Sequence, residues 1–134
     1  MIQVSTYQDV LDFEKSNKLD SLWDEDTVYE RLKLNAEKYP DRPAVSFHLL
    51  ANPKGNTETL TWKQLFGKVN QFANYLRSIG VKENDAVALI MPSSTETVVA
   101  LIAAMTVGIA APINPTLNPE KIAQILKASN AKVW

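Results

Sequence analysis

Few residues in this chain have the types and spacing that chemistry needs. Met91-Pro92-Ser93-Ser94, followed by Glu96, comes directly after an apolar run and opens a helical pattern. A strand end that feeds a helix N-terminus suits an anion, because unpaired amides and the helix dipole point outward there. The same serines also serve as helix caps, and that reading alone explains them. Asn114-Pro115-Thr116 follows a second strand-like run and reads as a turn with a helix entry. His48 is the one histidine and there is no cysteine. Metal sites built on several imidazoles, thiolate nucleophiles and disulfides are therefore excluded, and so is a histidine triad unless another chain contributes. His48 ends a predicted strand without a second His or a clear acid beside it, and reads as a hydrogen-bonded structural residue. Asp24-Glu25-Asp26 reads as a solvated connector that places negative charge near a helix start. Asp20, Asp24 and Asp26 lack the glycine and terminal Glu of a calcium loop. Lys54-Gly55-Asn56 is a turn first and a phosphate contact second.

Composition narrows the choice further. The chain has 134 residues, 46% hydrophobic and 22% charged, which fits a globular domain or a piece of one. Net charge −1 and a pI near 5.8 argue against a nucleic-acid partner. Four glycines cannot supply a dinucleotide fingerprint or a Walker-type phosphate loop. The N-terminus has no secretory pattern. The uncharged run Thr97 to Ile113 is shorter than the roughly 20 residues of a spanning helix, and Thr106, Gly108 and Pro112 interrupt it. No stable membrane insertion is expected, and the absence of cysteine is compatible with the cytoplasm.

The elements that must position these residues are legible. Ser5/Gln8, Thr27/Glu30, Thr61/Gln64 and Ser93/Glu96 each have capping-box spacing, and Asn118-Pro119 adds a fifth helix start. Helices are predicted over Tyr7 to Ser16, from Val28 to Pro40, from Leu65 to Ile79 with Gly80 as the glycine stop, over Thr95 to Val107, and over Pro119 to Ala128. In the last helix Ile122, Ile125 and Leu126 should face inward. The turn cluster Asn52 to Asn56 separates two strands, Ala44 to His48 and Thr57 to Thr61, which should form a hairpin. Ala86 to Met91 is apolar on both faces, as a central parallel strand is. With strands from Ile109 to Ile113 and from Lys132, it makes βαβ units. The predicted class is α/β, with a mainly parallel sheet preceded by N-terminal helices and the hairpin. Residues 1–26 read as a helix and acidic connector, and 27–134 as the first part of a large domain. The last strand begins only at Lys132, which suggests a chain cut inside its sheet.

Five stretches, in order, resemble the AMP-forming acyl-activating enzymes: acyl-CoA synthetases, aryl-CoA ligases, peptide-synthetase adenylation domains and luciferases. They are Thr27-Val28-Tyr29-Glu30 with Pro40-Asp41-Arg42-Pro43-Ala44-Val45; Leu60-Thr61-Trp62-Lys63-Gln64-Leu65; Asn70 to Arg77 with Gly80-Val81; Val87 to Ser94 with Glu96; and Gly108 to Pro115, closing with Ser129 and Ala131-Lys132-Val133. The Trp and Gln of the second stretch are mild departures from the family's Leu-Thr-Tyr-x-Glu-Leu. Glu83-Asn84-Asp85 replaces a common Gly-Asp pair and alters a turn.

The resemblance implies a two-step chemistry. A carboxylate attacks the α-phosphate of ATP with Mg²⁺ present, and the CoA thiol then displaces AMP. It implies a small-molecule carboxylic acid as substrate, with a fatty acid as the subfamily expectation. It places Asn114, Pro115 and Thr116 near the route of the CoA arm. The family's phosphate loop, adenine and ribose contacts and catalytic lysine have no match here. No catalytic or metal-binding residue is therefore expected in this chain, which alone should be inactive and prone to self-association. Two rival readings remain: a stand-alone α/β module that recognises a nucleotide or a protein, and a peripheral membrane piece using Thr97 to Ile113. The lack of a basic amphipathic helix counts against the second.

Overall fold

Caps written into the sequence start the helices, though not always at the predicted residue. The computed structural model describes residues 5–16, 27–49, 55 and 57–133. Helix α1 spans Tyr7–Ser16. Its cap is Thr6, not Ser5: Asp9 N donates to Thr6 Oγ1 at 3.2 Å, and Thr6 N donates back to Asp9 Oδ2 at 2.8 Å. Both one-residue alternatives satisfy the spacing rule, and the shorter Asp carboxylate closes the box from Thr6. Helix α2 (Val28–Lys38) and helix α3 (Trp62–Ser78) have the predicted capping boxes, Thr27 with Glu30 and Thr61 with Gln64. Helix α4 (Thr95–Val107) is capped by Ser94, not Ser93, through Thr97 N at 3.2 Å. Helix α5 (Pro119–Ala128) starts at Asn118, with Pro in the first turn.

Strand β1 (Pro43–His48) pairs antiparallel with β2 (Thr57–Thr61), the predicted hairpin, with a register irregularity between Pro43 and Val45. Asn52–Lys54 and Asn56 of the turn cluster lie outside the described residues, as do Asp20, Asp24, Glu25 and Asp26. Strand β3 (Ala86–Leu89) pairs parallel with β4 (Ile109–Pro112), two residues shorter than the apolar run that announced it. On its other side Val87 forms a parallel bridge to Val133. Every residue of β3 is buried, as a central strand requires, whereas Ile90 and Met91 beyond it are half-buried.

The core lies where α4 packs on α3 on one side and on the β3–β4 sheet on the other. From α3 come Leu65, Val69, Ala73 and Leu76; from α4 come Val99, Ala100, Ala103, Ala104 and Val107. Along α4, Val99 and Ala103 are buried, whereas Ile102 and Thr106 are only half-buried. Helix α2 contributes Leu32 and Ala36, while Val28 is exposed. Tyr29 ties α2 to α3, its hydroxyl donating to Asn70 Oδ1 at 2.8 Å and its ring 5.6 Å from Phe66.

Helix α3 ends as its glycine predicts. Gly80 has φ +88°, and Val81 N and Gly80 N donate back to Leu76 O and Arg77 O. This is the Schellman geometry. Ile79 is the cap residue and is 42% exposed, so the apolar stripe stops one turn earlier than its pattern. Helix α5 ends the same way on Asn130, φ +48°. It buries none of its residues: Ile122 and Leu126 are half-buried and Ile125 is exposed, against expectation.

Candidate functional site

Parallel pairing brings the two candidate loops to one edge of the sheet. β3 and β4 run the same way in register, so Met91-Pro92-Ser93-Ser94 and Asn114-Pro115-Thr116 both leave at the carboxyl ends. Ile113 N, donating to Leu89 O at 3.0 Å, extends the pairing to the point of departure. In open α/β sheets ligands gather at this edge.

The first loop is internally satisfied. Ser94 Oγ accepts from Thr97 N, and the Thr97 hydroxyl donates to Pro92 O. The Thr95 side chain is almost wholly buried, and its hydroxyl reaches Glu96 Oε2 at 3.3 Å. The Glu96 carboxyl is held below its usual range, first by its own main-chain amide, then by Ser94, with Thr95 and the Lys68 charge adding to the effect. The N-terminus of α4 thus already carries an anion of its own. An external anion would have to compete with Glu96, which favours the capping role of these serines over the anion site.

The second loop is a turn stabilised from within. Asn114 Oδ1 accepts from both the amide and the hydroxyl of Thr116, each at 2.9 Å. Asn114, Pro115 and Thr116 are all exposed. His48 lies on the hairpin, away from both loops in the topology, and its Nδ1 is 3.0 Å from the Thr57 hydroxyl across the strand pair. This is the hydrogen-bonded role its setting indicated. Among the described residues no three His, Cys, Asp or Glu gather to hold a metal ion. No metal step is therefore derived from these side chains.

This edge has one further feature. A groove of about 450 Å³ runs between α3 and α4, with Phe72, Tyr75, Met91 and Val99 among its apolar lining and Lys68, Gln71, Thr95 and Glu96 as its polar residues. The rings of Phe72 and Tyr75 are stacked with centroids 6.0 Å apart. Lys68, Gln71, Phe72 and Tyr75 follow i, i+3, i+4, i+7, a second stripe beside the core stripe of α3. That spacing was available in the sequence; its partner across α4 was not.

Comparison with known proteins fixes the family. A family model described as AMP-binding enzyme matches residues 32–134, the greater part of the chain. The chain belongs to the AMP-binding enzyme family. The acetyl-coenzyme A synthetase of Methanothrix thermoacetophila is 36% identical over 67 residues, 50% of this chain and 10% of that protein. The N-terminal domain of FACL13 from Mycobacterium tuberculosis superposes with a TM-score of 0.69 at 27% identity, over 81% of this chain and 26% of that one. The Klebsiella oxytoca NpsA N-terminal subdomain, in complex with anthranilyl-AMSN, gives 0.67 at 22% identity, over 78% and 26%. That last likeness is one of fold. The AMP-binding enzyme chain described here spans about a tenth of the length of the curated relative and about a quarter of the solved domains. The α/β class with helices and hairpin leading into parallel pairing agrees with these neighbours. No helix among the described residues is long and apolar enough to cross a membrane.

Proposed function

We propose that this chain forms the opening part of the large domain of an ATP-dependent acyl-CoA synthetase, with residues 1–26 as a leading helix and connector and 27–134 as the first α/β section. The observation that carries this reading is the continuous family match over residues 32–134, which takes in both loops at the carboxyl edge. The whole protein would join a carboxylic acid to ATP with Mg²⁺, forming an acyl-adenylate and pyrophosphate. The CoA thiol would then displace AMP to give the thioester. Donors and cations around the polyphosphate must stabilise the charge that develops on phosphorus. This chain's own part is to set the sheet edge. The turn at Asn114, Pro115 and Thr116 would border the CoA arm, held in shape by the Asn114 side chain.

The proposed acid is a fatty acid, and the proposed compartment is the cytoplasm. A second reading, acetate, is favoured by the names of the similar curated proteins. The deciding experiment is carboxylate-dependent exchange of labelled pyrophosphate into ATP, run on a protein of the relatives' full length with acetate and with octanoate. Exchange with octanoate supports the fatty-acid reading, and exchange with acetate alone replaces it. The 134-residue chain should show neither. Exchange by that chain would overturn its assignment as an inactive scaffold. No exchange with any acid at full length would favour the rival, a non-enzymatic binding module. Exposed Met105 and Ile109 supply the apolar surface for self-association, which sedimentation would detect as a concentration-dependent mass.

A further inference from the structure

The turn Lys82–Asp85, where the sequence departs from the family's Gly-Asp pair, sits at the entry of the parallel β3–β4 pair, beside the segment that bridges to β3 at Val133. It is closed on itself: Asp85 N donates to Lys82 O at 2.9 Å, and Lys82 N donates to Asp85 Oδ2 at 2.8 Å. On one side Ile109 N donates to Asp85 O at 3.0 Å. A Cβ at Gly108 would stand 2.6 Å from that same oxygen and 2.9 Å from Lys82 O, so only glycine fits against the turn. On the other side Lys132 Nζ donates to Asp85 Oδ2 at 2.8 Å and to Gly80 O at 2.6 Å.

We infer that this turn is a register gauge: Asp85 sets β4 with its main-chain oxygen and the Lys132-Val133 segment, bridged to β3, with its carboxylate. Parallel strands joined through helices have no tight hairpin turn to fix their register. A slip of one residue would swap the two faces of a strand. A slip of two would carry Lys132 about 6.6 Å along the strand, out of reach of Asp85. On the β4 side either neighbour of Gly108, Val107 or Ile109, would drive a side chain against the Asp85 and Lys82 carbonyl oxygens and the Val81 side chain.

Hydrogen exchange on the full chain tests this, because each pairing has its own reporter amide. Ala88 N donates to Val133 O at 2.8 Å and Ile113 N donates to Leu89 O at 3.0 Å. Asp85→Asn keeps the main-chain oxygen and loses the carboxylate. It should speed exchange at Ala88 by about fivefold and leave Ile113 unchanged, as local opening of one strand predicts. Lys132→Met should do the same. Gly108→Ala should reverse the pattern, speeding Ile113 more than Ala88. Should Gly108→Ala not fold, the Asp85 and Lys132 variants decide alone. Equal acceleration of both amides by Asp85→Asn, or no change in either, would overturn the inference.

Discussion

Helices α3 and α5 are written in the same language and end up in different places. Both have an apolar stripe at helical spacing, a side-chain N-cap and a left-handed residue that stops them. Yet α3 buries Leu65, Val69, Ala73 and Leu76, whereas α5 buries nothing. The stripe defines which face of a helix seeks cover; the cover itself comes from another element. For α3 that element is α4, apolar around nearly its whole circumference and therefore able to face both α3 and the sheet. For α5 no such element stands among the described residues.

The contrast can be broken most sharply in the core. Leu76 is fully buried, and Leu76→Ala should cost about 2–5 kcal/mol through lost burial and the cavity left behind. Ile125→Ala on α5 should stay within about 0.5 kcal/mol, as an exposed substitution does. Urea denaturation of both variants measures this. A comparable loss for Ile125→Ala would mean that α5 is covered in solution.

The stops come next. Gly80→Ala places a Cβ on a residue with φ +88° and should cost about 1–2 kcal/mol. Asn130→Ala forces the same strain at the end of α5. Because α5 packs so little, its cost should appear as local fraying in the amide exchange of Leu126 and Lys127 rather than in the global unfolding midpoint.

The caps give a smaller, cleaner contrast. Ser94→Ala should cost about 1 kcal/mol by freeing the Thr97 amide, and Ser93→Ala close to nothing. Equal losses at both serines would mean that the cap shifts between them in solution.

The smallest effect is electrostatic. The Asp85 carboxyl is held below its ordinary value by the Lys132 hydrogen bond, then by the Lys82 amide. A carboxylate depressed in the folded state stabilises fully above its unfolded pKa, near 4, and loses that contribution as pH falls through the lower folded value. Below about pH 4 the wild type should therefore weaken more than Asp85→Asn, which has no proton to gain. Thermal melts at pH 3 and pH 7 compare the two, and a difference that does not shrink at pH 3 would contradict this assignment.

Much of this fold was legible because the local signals agree with the tertiary ones. Thr27/Glu30, Thr61/Gln64, Asn118-Pro119 and Gly80 act within a few residues of themselves and need no distant partner. The errors fall where two neighbours can play one part. Ser5 and Thr6 compete for one cap, as do Ser93 and Ser94, and spacing alone does not separate adjacent hydroxyls. Ile122 and Leu126 are half-buried and Ile125 is exposed, for the reason α5 illustrates. At the candidate site the two loops could be assigned to strand ends from the chain alone. Their shared edge needed the parallel pairing of β3 with β4. The groove beside them needed two helices to meet.

Thr61 closes β2 and caps α3 at once, so strand and helix join with no loop between them. That junction has no slack. One residue added after Thr61 would rotate α3 by about 100° and turn Leu65, Val69 and Leu76 away from α4. The hairpin and the long helix are thus locked in phase, and evolution can vary what this joint contains far more easily than how long it is.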